Sequence, residues 1–214
     1  MLGLDLATVV TYAIILLISL PAHELAHAWV ANAFGDPTPR AQGRLTPNPL
    51  AHLDPLGSLL LIVAGFGWAR PVQVDAYALR RRSPAALMLV SLAGPLTNVM
   101  LASLAVIPFR ISLVPLDFTV SSSFPSLGQF LAVFVLTNFV LAIFNLIPVA
   151  PLDGEEVLAF LLPPEGRQTL ARLRPYGPYV LLGLILLGRI GSFDPLGALV
   201  FRPAEWLARH LIGL

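Results

Sequence analysis

The sequence predicts an all-α polytopic membrane protein with about four to six transmembrane helices, and three observations predict it. Of its 214 residues, 57% are hydrophobic and only 12% charged, against roughly 45–50% and about 25% in a soluble domain. The mean hydropathy is +0.81. Long apolar windows run from Leu6 to Phe34, Ser83 to Phe109 and Ser126 to Val149, each longer than the ~20 residues a helix needs to cross a bilayer. So little charge cannot cover a globular surface, which excludes an ordinary cytosolic enzyme and a disordered tail. The 13 basic residues balance 12 acidic ones, so nucleic acid is not an expected partner. The lipid bilayer is.

Taken in order, the first window opens without a positively charged n-region at Met1–Asp5 and exceeds a signal-peptide core. It is expected to be a retained membrane helix, despite the small-x-small pattern Ala26-His27-Ala28, and to stop at Gly35-Asp36-Pro37. Leu56 to Trp68 is apolar for about 13 residues and interrupted by Gly57, Gly65 and Gly67, too short for a perpendicular crossing. A re-entrant hairpin is expected there, followed by the alternating stretch Ala69–Asp75, which could form a short β segment and offer an edge to an extended peptide. With the hairpin, Arg40, Arg44, Arg70 and Arg80–Arg82 share one face. Arg167, Arg172 and Arg174 join them after two more crossings, and the positive-inside rule then places the N-terminus outside. Arg80–Arg82 is read as an anchor at the lipid headgroups. Tyr176–Ile190 is a shorter fourth apolar window. Leu196–Leu214, amphipathic with Arg202, Glu205, Arg209 and His210, suits the interface or a poor final span. One domain over 1–214 is expected, with core motifs in 15–160 and C-terminal helices in 176–214. There are no cysteines, which excludes disulfides and thiolate ligands.

The scarcity of charge makes His23-Glu24-Leu25-Ala26-His27 informative, because it lies inside a helix-periodic apolar run. Histidines at i and i+4 stack on one helix face, so both imidazoles can bind one ion. Neutral imidazole suits zinc, and Glu24 can reach a water at the metal without being a ligand. Three ionisable groups facing lipid would cost several kcal/mol, so they must be paired, coordinated or hydrated. A hydrogen-bonded polar knot between helices is the bland alternative. A catalytic zinc site generally has three protein ligands. Asp153 is a candidate for the third, standing where Pro148 and Pro151 break a long apolar helix. Its alternative is an N-cap for the next short helix, Glu155 to Leu162. In the favoured topology, His23, His27 and Asp153 all lie toward the cytoplasmic side.

These motifs resemble the site-2 protease family of intramembrane zinc metalloproteases. The resemblance rests on HExxH in a membrane helix, Gly94-Pro95-Leu96-Thr97-Asn98, and Asn145-x-x-Pro148 followed by Leu152-Asp153-Gly154. Pro49 to Gly57 is similar to the compact prokaryotic members. The resemblance implies one zinc ion held by His23, His27 and Asp153, with Glu24 as general base. It also implies a cell-membrane location and substrates that are transmembrane segments of other proteins. Asn98 and Asn145 are candidates for stabilising the oxyanion or holding the substrate strand, with interhelical packing as their alternative. Ala150 and Glu155 depart from the family, where a second Pro and a second Gly often stand. Glu155 brings an extra negative charge close to the metal.

His52 is expected to be a loop residue or to orient a ligand, and His210 to sit on the interfacial surface. Two rival functions share the composition. A transporter with a mid-membrane ion site has no need of Glu24 beside the first histidine. A catalytically dead relative would be expected to have lost one of His23, Glu24, His27 or Asp153.

Overall fold

A computed structural model of the chain describes residues 6–57, 69–115, 125–190 and 194–214. The helices are α1 (Leu6–Ala33), α2 (Thr38–Ala41), α3 (Ala76–Arg82), α4 (Ala86–Arg110), α5 (Leu127–Asn145), α6 (Asp153–Leu161), α7 (Pro164–Leu173), α8 (Gly177–Ile190) and α9 (Arg202–Ile212). Among the described residues there is no β-strand, only an isolated antiparallel bridge between Leu53 and Ala69. The fold is all-α.

Three helices are long and apolar enough to cross a membrane, Val10–Ala33 within α1, α4 and α5. Their outward faces carry exposed Ile14, Ile18, Leu96, Met100 and Leu104, the expected surface for a solvent of hydrocarbon. α5 begins with a capping box, in which Ser126 and Gln129 exchange side-chain-to-backbone bonds. It ends at Asn145, four residues before the apolar window does, because Pro148 cannot continue the ladder. α8 spans 14 residues, or about 21 Å at 1.5 Å per residue, short of the ~30 Å hydrocarbon core. The expected hairpin falls largely on residues 58–68, which lie outside the described residues. Its flanks are paired through Leu53 and Ala69, so the chain leaves and returns at one place.

α4 is the central helix, with α1 packed on one side and α5 on the other. Two apolar clusters occupy its ends. One joins Ala86, Leu87 and Val90 to Ala31 of α1 and Leu79 of α3. The other joins Ala102, Val106 and Phe109 to Val135 and Phe139 of α5 and to Ala204, Ala208 and Ile212 of α9. Between them the buried face of α4 is small or polar, with Ser91, Gly94 and Asn98 about one helical turn apart. The matching stripe on α1 repeats every fourth residue: Thr11, Ile15, Ser19, His23, His27 and Ala31 are all buried. The two stripes put buried polar groups of α1 and α4 in one seam.

The C-terminal segment, expected at the interface or as a poor final span, is helical: a π-helical turn over Gly197–Phe201 leads directly into α9. It buries its Ala204, Ala208 and Ile212 edge and leaves Trp206 and Arg209 outside. Arg110 ties it down by donating to the carbonyls of Leu211 and His210, satisfying groups that a helix C-terminus leaves unpaired. Gly213 closes it at φ +99°, a conformation that suits glycine.

Candidate metal centre

The polar seam gathers three side chains from two elements. α1 presents His23 and His27, one turn apart and buried. α6 presents Asp153 in its first turn, after Pro148 and Pro151 have broken the α5 path. Leu152, not Asp153, occupies the N-cap position, and no side chain caps this helix. The capping role weighed for Asp153 is therefore not the one it takes, and its carboxylate faces the histidines instead.

The mutual spacings are those of a metal polyhedron. His23 Nε2 lies 3.0 Å from His27 Nε2. Asp153 Oδ2 is 3.2 Å from His23 Nε2, and Oδ1 is 3.4 Å from His27 Nε2. Ligands of a tetrahedral zinc at ~2.0–2.1 Å stand about 3.3 Å from one another. The chemistry of the donors agrees. His27 Nδ1 faces the carbonyl of Val90 at 2.7 Å, so that nitrogen donates. His23 Nδ1 donates to Asn98 Oδ1 at 2.6 Å. With both Nδ1 atoms protonated, each neutral ring turns a bare Nε2 lone pair toward the other and toward a carboxylate. Three electron-rich groups at this distance need a shared cation or added protons. Asp153 Oδ2 is also buried without a hydrogen-bond partner among the described residues. The residues fit a zinc ion.

A relay across three helices sets the His23 tautomer. Asn138 Nδ2 on α5 donates to the Phe134 carbonyl, and Asn98 Nδ2 on α4 donates to Asn138 Oδ1 at 2.9 Å. That leaves Asn98 Oδ1 to accept from His23. Gly94 makes the approach possible: a Cβ there would lie 2.4–2.5 Å from ring atoms of His23 and His27. Glu24, half-buried beside His23, accepts a 2.9 Å bond from the backbone N–H of Val72.

Residues 108–187 match peptidase family M50. The chain is 40% identical over 191 residues to "Putative zinc metalloprotease YwhC" of Bacillus subtilis, which covers 89% of this chain and 83% of that protein. It is 35% identical over 178 residues to "Putative zinc metalloprotease Rip2" of Mycolicibacterium smegmatis, covering 79% of this chain and 64% of that relative. The Mycobacterium tuberculosis protein of the same name is also 35% identical, over 176 residues. No solved structure matches the chain.

The chain belongs to peptidase family M50. It is a metalloprotease of the site-2 protease family, carried on apolar helices long enough to make it an integral membrane protein.

Within this M50 chain the other singled-out residues sort by contact. Asn98 is fully buried, and both ends of its amide are engaged, one with His23 and one with Asn138. Asn145 lies at the end of α5 and donates to the Leu141 carbonyl of its own helix. His52 is fully buried, with Nε2 2.9 Å from the Thr46 carbonyl and Nδ1 without a partner among the described residues; it is not in the group formed by His23, His27 and Asp153. His210 is exposed and stacks on Trp206. Arg80, expected at the lipid headgroups, pairs with Glu156 of α6 at 3.3 Å.

Glu155 is buried, and its charge is met by Arg174, which also pairs with Glu156. Burial acts to lower the Arg174 pKa, but the hydrogen bonds it donates to Glu156 and Glu155 outweigh that and raise the value. Glu155, Glu156 and Arg174 also line both a 310 Å³ cavity that reaches Asp153 and a neighbouring 490 Å³ cavity. Asn138 had escaped sequence reasoning. Its available signal was an amide in the middle of the most apolar span, where polar side chains usually bridge helices.

Proposed function

We propose that this M50 chain is an intramembrane endopeptidase, hydrolysing peptide bonds in or near transmembrane segments of other proteins. His23, His27 and Asp153 would hold one zinc ion, and Glu24 would act as general base. The observation that carries this reading is the convergence of three donor groups at 3.0–3.4 Å beside a fourth, non-ligating acid. Zinc bound there would supply a Lewis acid that acidifies water and polarises a carbonyl.

The protein's own residues account for the remaining steps. Glu24 takes a proton from the attacking water as its oxygen bonds to the scissile carbonyl carbon. The C–N bond then breaks, and Glu24 returns the proton to the leaving amine. Asn98 orients His23 through a ring nitrogen that does not ligate. Asn145 is the remaining candidate for holding substrate backbone or oxyanion, since it stands at the open end of α5. The proposed site faces the cytoplasmic side of a prokaryotic cell membrane, the arrangement the arginine distribution favours.

The test is reconstitution in proteoliposomes with a single-span substrate. Glu24→Gln is expected to keep zinc and abolish cleavage, whereas His23→Ala and Asp153→Ala are expected to lose zinc. Normal cleavage by Glu24→Gln, or purified protein without stoichiometric zinc, would remove the reading.

A further inference from the structure

Outside the zinc cluster, the most unusual side chain is Arg44. It is 3% exposed, a placement that guanidinium groups adopt only when something holds them. The sequence delivers it there. α2 ends in a turn with Gly43 at φ +68°, and the Arg44 N–H is fixed to the Pro39 carbonyl at 2.9 Å. Among the described residues Arg44 forms no ion pair. Instead its Nη1 donates to two backbone carbonyls, Ala51 at 2.6 Å and Arg70 at 3.3 Å.

Those carbonyls belong to two stretches that meet next to the general-base candidate. Arg70 is held at its other end too, since its N–H donates to the His52 carbonyl at 2.8 Å. Pro71 keeps Arg70 extended and has no N–H of its own. The next donor along the chain is therefore Val72 N–H, and it reaches Glu24 Oε2 at 2.9 Å. Asp36, 1% exposed, anchors the far end of the stretch by accepting from Asp75 N–H at 2.7 Å. The stretch is pinned on both sides of the bond it makes to Glu24.

We propose that Arg44 is a positioning residue for Glu24, acting through the Arg70–Val72 backbone to aim the carboxylate at the reacting water. The proposal rests on the reading of Glu24 as general base and adds a residue outside every metal-binding motif. Electrostatics act in the same neighbourhood. Burial and the nearby Arg70 lower the Arg44 pKa from its ordinary value, and the Glu24 carboxylate opposes that shift. A fixed backbone donor restricts the carboxylate to one geometry, and misplacement of a catalytic group by about 1 Å can cost ~100-fold in rate.

The experiment uses the full chain, zinc-loaded, in proteoliposomes with a single-span substrate. Arg44→Met is expected to lower kcat about 10- to 100-fold, with KM and zinc affinity within about threefold of the parent. Amide exchange at Val72, read by mass spectrometry on residues 70–75, is expected to accelerate about tenfold or more as the pinned stretch is released. Arg44→Lys, which keeps one donor in reach of the carbonyls, should recover part of both effects. Val72→Pro removes the donor itself and should lower kcat without touching Arg44. Unchanged kcat and exchange in Arg44→Met would overturn the proposal, as would zinc loss in proportion to kcat, since Arg44 would then be scaffolding for the metal. Should the parent cleave nothing, the endopeptidase reading fails, and the exchange measurement still reports separately whether Arg44 orders Val72.

Discussion

His23 and Asn98, 75 residues apart in the chain, share a 2.6 Å hydrogen bond in which the ring nitrogen donates to the amide oxygen. The bond turns the opposite nitrogen of His23 toward His27 and Asp153 as a lone pair. Asn138 supports it from a third helix. Outer-shell partners of metal-binding histidines are typically worth 10- to 100-fold in metal affinity.

Asn98→Ala is accordingly expected to weaken zinc binding by about 10- to 100-fold while leaving helix content unchanged. Asn98→Asp keeps an acceptor for the ring and should lose less. Asn138→Ala, one bond further out, should shift affinity in the same direction by a smaller factor. Competition with a chromophoric chelator measures all three. Equal affinity in Asn98→Ala and the parent would mean that the relay does not set the ring.

Gly94 leads to a sharper expectation. A Cβ at this position would meet His27 Nε2 at 2.4 Å and His23 Nε2 at 2.5 Å, well inside van der Waals contact. Gly94→Ala, ordinarily favourable within a helix, should here displace both rings and abolish stoichiometric zinc. Elemental analysis of the purified variant decides it. Full zinc occupancy with unchanged affinity would show that α4 can shift away without disturbing the pair.

Much of this was legible before any coordinates, for a physical reason. Lipid forces every exposed backbone group into helices and every charge into a paired position, so apolar runs and misplaced ions are both loud signals. The window from Ser83 to Phe109 anticipated α4 at Ala86–Arg110, and the first window anticipated α1 almost end to end. The grouping of His23, His27 and Asp153 was likewise expected, from two motifs separated by more than half the chain. What escaped was set by helix rotation and by loops. Asn138 differs from any other polar residue in a span only by facing Asn98, and that depends on how α5 rotates against α4. Arg44 looks like one of several topological arginines until Gly43 turns it inward. Whether Leu196–Leu214 would lie at the interface or make a poor final span was not legible, because its placement is set by Arg110 and by the small edge of Ala204 and Ala208, which hold α9 against the bundle.

Zinc should stabilise the fold as well as equip it. Without a cation, two imidazole lone pairs and a carboxylate face one another in a buried seam. A ligand that binds only the folded state adds about 2.7 kcal/mol when its free concentration is 100 times Kd. Thermal unfolding in detergent should therefore shift upward on adding zinc and saturate at one equivalent per chain. His27→Ala and Asp153→Ala should show no such shift. An equal rise in those variants would assign the stabilisation to other sites.

The pairing of Glu155 with Arg174 makes the last prediction, because the two acids that Arg174 serves are not equivalent. Glu156 has a second cation in Arg80, 3.3 Å away, so losing Arg174 leaves it compensated. Glu155 is 5% exposed, and Arg174 is its one ion-pair partner among the described residues. Arg174→Met therefore strands a buried carboxylate next to the turn that carries Asp153. Because the guanidinium is itself half-exposed and screened by solvent, the loss should be modest, about 1–2 kcal/mol. Removing the stranded charge as well, in Glu155→Gln with Arg174→Met, should restore most of it, since two neutral groups can share the site without the desolvation penalty. The measurement is thermal unfolding of zinc-saturated protein, compared across the single and double variants. If the double variant is no more stable than Arg174→Met alone, Arg174 supports the turn by packing rather than by charge.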